Sequence, residues 1–207
     1  MMIKLISSLV FLTLIPGVAV AQITPDSTLG EEKSVVESNG NRDTINGGAI
    51  RDANLFHSFQ EFNVDALREA YFANPDGINN IFSRVTGSNI SNIQGVLGVL
   101  GNANLYLINP NGILFGENAR LDVNGSFFAT TADSVLFGDG FEFSAANPDA
   151  PQLLTINIPI GLRFRDNPAP ITNRSVASVA NELGLQVDTG QTLALMGGNI
   201  TLSLIHI

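Results

Sequence analysis

The stretch Ala103–Ala129 constrains the fold of this chain more than any other. It reads Ala-Asn-Leu-Tyr-Leu-Ile-Asn-Pro-Asn-Gly-Ile-Leu-Phe-Gly-Glu-Asn-Ala-Arg-Leu-Asp-Val-Asn-Gly-Ser-Phe-Phe-Ala. Short aliphatic and aromatic runs (Leu105–Ile108, Ile113–Phe115, Leu121–Val123, Phe127–Ala129) alternate with Asn/Gly punctuation. That rhythm leaves no room for a helix of ordinary length and predicts strand, turn, strand in repetition.

At its centre lies Asn109-Pro110-Asn111-Gly112, followed by Ile113. Pro110 fixes φ for the first corner position of a turn, Asn111 tolerates the bridge or left-handed region, and Gly112 accepts φ > 0 without a Cβ clash. Leu105–Ile108 and Ile113–Phe115 are apolar at consecutive positions, so both faces of these strands are expected to be covered. Leu121-Asp122-Val123-Asn124 alternates and should keep one wet face. Short strands with Asn/Gly corners suit a β-solenoid, in which each turn buries its apolar side against its neighbours.

The run Asn104–Gly116 resembles the signature of the filamentous-haemagglutinin N-terminal domain, the two-partner-secretion domain of large TpsA exoproteins. Asn54–Phe59 with Phe62-Asn63-Val64, Ser83–Gly87, Gly125–Ala132 and Met196–Ile200 agree with it, in the right order from about Ile23 to Thr201. The resemblance implies a right-handed parallel β-helix with an N-terminal cap and extra-helical β-hairpins. It also implies recognition in the periplasm by the POTRA domains of a TpsB-type outer-membrane β-barrel, by strand addition to an extended chain that then folds outside the cell. For Asn109–Ile113 both a transporter-recognition role and a purely folding role stand open. Replacing Asn109 or Asn111 by Ala is expected to cost about 1 kcal/mol if the role is structural.

Residues 1–21 read as a signal peptide for the Sec machinery. Lys4 gives a positive start, Leu5–Ile15 an apolar segment, and Ala19-Val20-Ala21 a small-residue cleavage site before Gln22. The apolar run is shorter than a membrane-spanning helix requires. Its removal takes Lys4 and no acid, leaving 9 basic against 19 acidic side chains and a formal net charge of −10. Such a chain offers no electrostatic footprint for nucleic acid. It has no cysteine, which suits passage through a narrow pore but equally suits a domain large enough to need no disulfide. Residues 22–201 are read as one domain. Leu202–Ile207 are expected to be an artefactual tail on a truncated gene, because that hexapeptide is what a common sequencing adapter encodes.

Gln22–Gly48 is polar, with short strands at Ser34–Glu37 and Asp43–Ile45, and reads as a cap. One helix is expected, Asp65–Phe72, with Asp65 as N-cap and Leu67, Ala70 and Tyr71 on one side. Ala70–Phe72 also reads as a strand. Pro159 separates two expected strands, Leu153–Ile158 and Ile160–Phe164, that would form a hairpin outside the coil, and Ser175–Leu185 reads as a short helix or a turn of the coil. Asparagines at equivalent corners of stacked turns are placed for hydrogen-bonded ladders.

Catalytic constellations are sparse. The histidines are His57 and His206, too few for a triad or a zinc site, and His57 in its aromatic setting reads as structural. Asp133, Asp139 and Glu142 are the nearest approach to paired carboxylates, but Gly138-Asp139-Gly140 reads as a turn. No cofactor and no metal is expected. The reading is a non-enzymatic secretion-targeting and folding-template domain of a secreted, adhesin-like exoprotein whose receptor the sequence does not specify. The alternatives are a β-helical polysaccharide lyase or glycoside hydrolase, and an autotransporter passenger domain. Intact mass of the exported protein checks the first boundary: the mature chain should begin at Gln22, and retention of residues 1–21 would refute the signal assignment.

Overall fold

In-register stacking of short strands builds the molecule, in three parallel sheets that form the sides of a solenoid. The computed structural model describes residues 22–138, 140–149, 159–179 and 182–203. Ala19, Ala21, Asp139, residues 153–158 and residues 204–207 lie outside the described residues.

The N-terminal cap comprises β1 (Ile23–Pro25), a 3-10 turn (Gly30–Glu32), the hairpin β2 (Ser34–Asn39) and β3 (Arg42–Gly47), and β4 (Ala49–Arg51). The first turn follows with β5 (Asn54–Phe62) and β6 (Glu69–Ala73), the second with β7 (Asn80–Val85), β8 (Ser91–Ile93) and β9 (Val96–Leu100). The third contains β10 (Asn104–Ile108), β11 (Ile113–Phe115) and β12 (Arg120–Asp122). In the fourth, β13 (Phe127–Thr130) leads to an external sheet of β14 (Ser134–Phe137), β15 (Glu142–Ser144) and β16 (Pro159–Arg163) before the coil resumes at β17 (Ile171–Asn173). A second excursion, β18 (Ser178–Val179) and β19 (Glu182–Leu183), precedes β20 (Leu193–Met196) and β21 (Ile200–Leu202).

The first sheet runs β1-β5-β7-β10-β13-β20, the second β2-β3-β6-β9-β12 and the third β8-β11-β17-β21. From β5 onward the first sheet is parallel and unslipped: Leu55, Ile81, Leu105, Phe127 and Leu193 occupy equivalent positions. Next to them stand Phe56, Phe82, Tyr106, Phe128 and Ala194. Alternation sends the first set inward and the second outward. The inner core gathers Leu55, Phe59, Phe62, Phe72, Ile81, Leu105, Phe115 and Phe127. A second apolar cluster lies outside the coil, where Val135, Phe137 and Phe143 of the external sheet cover Phe56, Phe82 and Ile108. This cover explains why Leu105–Ile108 is apolar on both faces.

The cap shields the first edges of the coil with antiparallel strands. β1 and β4 pair with opposite ends of β5, and β2 pairs with β3, so a strand edge that would otherwise template association is blocked. The hairpin turns at Asn39-Gly40, with Gly40 at φ 60.

Expectation and structure part in two places. Residues 65–72 form no helix: a turn at Asp65–Arg68 leads into β6, which fills the slot between β3 and β9 and buries Ala70 and Phe72. Leu67, which a helix would have packed beside Tyr71, is 87% exposed. Pro159 opens β16, which pairs with β14 at an irregularity where the missing N–H is tolerated; the other half of the expected hairpin, residues 153–158, lies outside the described residues. Ser175–Leu185 is neither helix nor turn of the coil; β18 and β19 pair antiparallel, and Leu185 returns to the core. At the far end, Leu202 pairs with Asn173.

His57 is wholly buried between Phe59 and Phe72; its Nδ1 lies 3.0 Å from Ser34 Oγ, while Nε2 has no hydrogen-bond partner. Burial pushes its pKa down to about 3. The unfolded chain, with an ordinary value near 6.5, then binds the extra proton as pH falls, so stability drops between about pH 6.5 and 3. From pH 7.5 to 5.5 the loss from this residue should be about 1.4 kcal/mol. Urea denaturation at the two pH values should show that loss in the native chain and not in His57→Leu; an equal pH dependence in both would contradict it.

Candidate functional site

Every turn of the coil bends between its strand in the first sheet and its strand in the third, and Asn109–Gly112 makes this bend on the third turn. Asn109 N–H continues the ladder by donating to the Thr130 carbonyl (3.0 Å). Gly112 N–H then donates back to the Asn109 carbonyl (3.1 Å), closing a four-residue turn. Pro110 holds its first corner position. Asn111 keeps φ negative and Gly112 takes φ 123, so the turn is type I with the positive φ just after its corner. Space also favours glycine at 112: a Cβ would lie 3.2 Å from the Pro170 carbonyl and 3.3 Å from the Ile90 side chain.

The asparagine side chains reach along the solenoid axis. Asn109 is wholly buried, and its Nδ2 donates to the Asn89 carbonyl (3.1 Å) and to Ser91 Oγ (3.0 Å) of the turn below. Its Oδ1 accepts from Asn111 N–H (2.9 Å), the local bond that makes Asn a good turn opener. Asn111, half-buried, donates from Nδ2 to the Gly87 carbonyl (2.7 Å). Ile113 enters the core at 2% exposure and its N–H donates to the Pro170 carbonyl (3.3 Å) of the turn above. The five residues therefore tie three successive turns together at one corner.

The corner carries no titratable group, so it offers neither acid–base chemistry nor a nucleophile. Beside it, Thr86 Oγ1 donates to Asp26 (2.6 Å). Burial raises the Asp26 carboxyl, but the hydrogen bonds from Thr86, Thr28 and Ser58 outweigh that and hold its pKa below the ordinary value. An open groove of about 440 Å³ runs past the corner, lined by Gln60, Thr86, Ser88, Pro110, Asn111 and Arg165 of the external excursion. Arg165 is paired with Asp133 at 2.5 Å. Among the described residues no group of three or more potential metal ligands converges. No described helix is long and apolar enough to cross a membrane.

Sequence reasoning singled out Asn109–Ile113 and placed corner asparagines, Asn89 among them, for inter-turn bonds, but it did not pair the corner with Gly87, Asn89 and Ser91, which precede it by roughly one solenoid turn. The available signal was the spacing itself. Asn54-Leu-Phe, Asn80-Ile-Phe and Asn104-Leu-Tyr recur as equivalent positions of successive turns, and their side chains form a ladder, Asn104 to Asn80 (2.9 Å) and Asn80 to Asn54 (3.0 Å). Asn104 Oδ1 then accepts from Ser126 N–H (2.8 Å).

The TPS secretion domain family model matches residues 21–207. A heme/hemopexin-binding protein of Haemophilus influenzae strain Rd is 36% identical over 130 residues, which is 61% of this chain and 14% of that protein. A second heme/hemopexin-binding protein of H. influenzae is 33% identical over 131 residues, 61% of this chain and 13% of that protein. The chain thus spans about one seventh of the length of these curated relatives. Among solved structures, the HMW1 secretion domain of H. influenzae matches with a TM-score of 0.58 and 24% identity, over 87% of this chain and 41% of that one, which bears on the fold alone.

The two asparagines should differ in cost. Asn109→Ala leaves a backbone amide, a carbonyl and a buried hydroxyl unpaired and should destabilise by about 3 kcal/mol, whereas Asn111→Ala strands one half-buried carbonyl and should cost about 1 kcal/mol. Urea denaturation of both variants checks the order; equal losses would show that the buried set does not act as a unit.

Proposed function

The chain belongs to the TPS secretion domain family, and from that premise we propose that it is the N-terminal secretion-targeting and folding-template domain of a larger, adhesin-like exported protein. Residues 1–21 would direct the chain to the Sec machinery and be removed, and residues 22–201 would form the domain. In the periplasm the POTRA domains of a TpsB-type outer-membrane barrel bind it, by strand addition, while it is extended or partly folded. Folding at the cell surface, turn upon turn, then draws the chain outward. It acts by binding and folding and performs no catalysis.

The match to the secretion domain family over residues 21–207 is the observation that carries this reading. The parallel solenoid fits it, because a strand laid on the coil can serve as the template for the next. For Asn109–Ile113 we favour the folding role: in the folded domain the Asn109 side chain is wholly buried and its amide is fully used. Once the corner has folded, a transporter would find no free polar atom of Asn109 to read, so direct recognition would have to act on the extended chain.

A secretion assay with the partner barrel co-expressed separates the roles. Leu107→Ala removes a buried side chain next to the corner and is expected to cost about 2–5 kcal/mol. Export of Asn109→Ala and of Leu107→Ala should fall together, in proportion to their lost stability. If Asn109→Ala abolishes export while an equally destabilised Leu107→Ala is exported, the motif is read directly. If export of the native domain is indifferent to the barrel, the secretion reading itself fails.

A further inference from the structure

The outer face of the first sheet carries an aromatic column of Phe56, Phe82, Tyr106 and Phe128, with successive ring centroids 5.2, 4.5 and 4.4 Å apart. The external sheet covers the lower half of this column. Phe143 and Phe137 meet Phe56 edge-on at 4.8 and 5.8 Å, and Phe137 meets Phe82 at 5.2 Å. Leu29 and Ala49 of the N-terminal cap join the same apolar cluster.

A charged side chain sits in this contact. Arg84 of β7 is wholly buried, with its guanidinium 4.3 Å from the Phe143 ring centre. Its three nitrogens donate to three separate parts of the molecule. Nε donates to Ser58 Oγ of β5 (2.9 Å), Nη2 to Thr28 Oγ1 of the cap (2.8 Å), and Nη1 to the Ser144 carbonyl of the external sheet (2.8 Å). Thr28 lies 56 residues before Arg84 and Ser144 lies 60 residues after it. Arginine only donates and an ionised carboxylate only accepts, which fixes the direction of the hydroxyls between them. Thr28 and Ser58 each accept from Arg84 and pass their own protons to Asp26, both at 2.7 Å. The cap thereby supplies one oriented acceptor, Thr28, and the counter-charge Asp26, which also orients Ser58 of β5.

Burying a guanidinium without acceptors is strongly unfavourable. Closing the external sheet over Arg84 before the hydroxyls of the cap and of β5 are in place would leave the buried guanidinium with only the Ser144 carbonyl to accept from it. We infer that Arg84 is a latch and the external sheet a strap, which closes over the Phe56–Phe82 column only after the cap and the first two turns have assembled. Until then the column is open, and the cap controls its cover from the opposite end of the sequence. This holds whether or not the domain is read by a transporter.

Pulsed hydrogen exchange during refolding of the full chain, resolved by segment, tests the order. The amides of β1 and β5 should gain protection before those of β14 and β15. In the folded chain, Thr28→Val removes a hydroxyl whose bonds are to Asp26, Ser58 and Arg84, yet it should speed exchange in β14 and β15 by tenfold or more while β10 and β13 stay unchanged. In an Arg84→Met background, or, if that variant does not fold, in Arg84→Lys, which keeps a cation, Thr28→Val should add less than threefold. The latch is overturned if β14 and β15 are protected together with or before the cap. It is equally overturned if Thr28→Val leaves their exchange at the native rate, or if its effect is the same in both backgrounds.

Discussion

Unslipped parallel pairing is the constraint on which the rest of this structure depends. A strand in a solenoid has one neighbour above and one below, and a shift of a single residue would turn its core side chains to solvent and its outer ones inward. Here the first sheet keeps one register from β5 to β20, and from β5 to β10 like lies on like: aliphatic residues inside, aromatic rings outside, asparagines at the strand start. Each column reinforces the same alignment through a different force. The inner column excludes water, the rings stack, and the amides form a hydrogen-bonded ladder.

The corner at Asn109–Ile113 follows from that alignment. Once turns are stacked at the strand spacing of about 4.8 Å, backbone groups at the bends face one another across a gap that an amide side chain spans. Asn109 and Asn111 bridge it downward, and the N–H of Ile113 bridges upward. Ordinary turn chemistry and inter-turn bonding thus meet in one tetrapeptide. Its density of contacts, more than any reactive group, singles it out as the candidate site.

Much of this was legible in the sequence, and the misses share one cause. Asn/Gly spacing marked the strands from Leu105 to Ala129, the cap and the corner, because those residues have local reasons to be where they are. The segment 65–72 misled because Asp65, Leu67 and Ala70 carry helical signals that are equally local; the vacant place between β3 and β9 overrode them. Arg84 lies in the family-like run Ser83–Gly87, but nothing in the sequence marked what it would bond to. Its partners lie in the cap and in an excursion, at distances along the chain that no periodicity marks. His57 was legible as structural, but not that one ring nitrogen would be left without a partner.

Register is the most direct point of attack, and a chain without cysteine is well suited to it. Val96 and Arg120 are equivalent positions of β9 and β12, and Asp122 lies two residues further along. Neighbours in register are about 5 Å apart at Cα, within reach of a disulfide, while a two-residue offset places them about 8 Å apart, beyond it. The rate of oxidative cross-linking in the folded domain should therefore be high for Val96→Cys with Arg120→Cys and negligible for Val96→Cys with Asp122→Cys. Comparable cross-linking of both pairs, or faster closure of the offset pair, would contradict the unslipped stack.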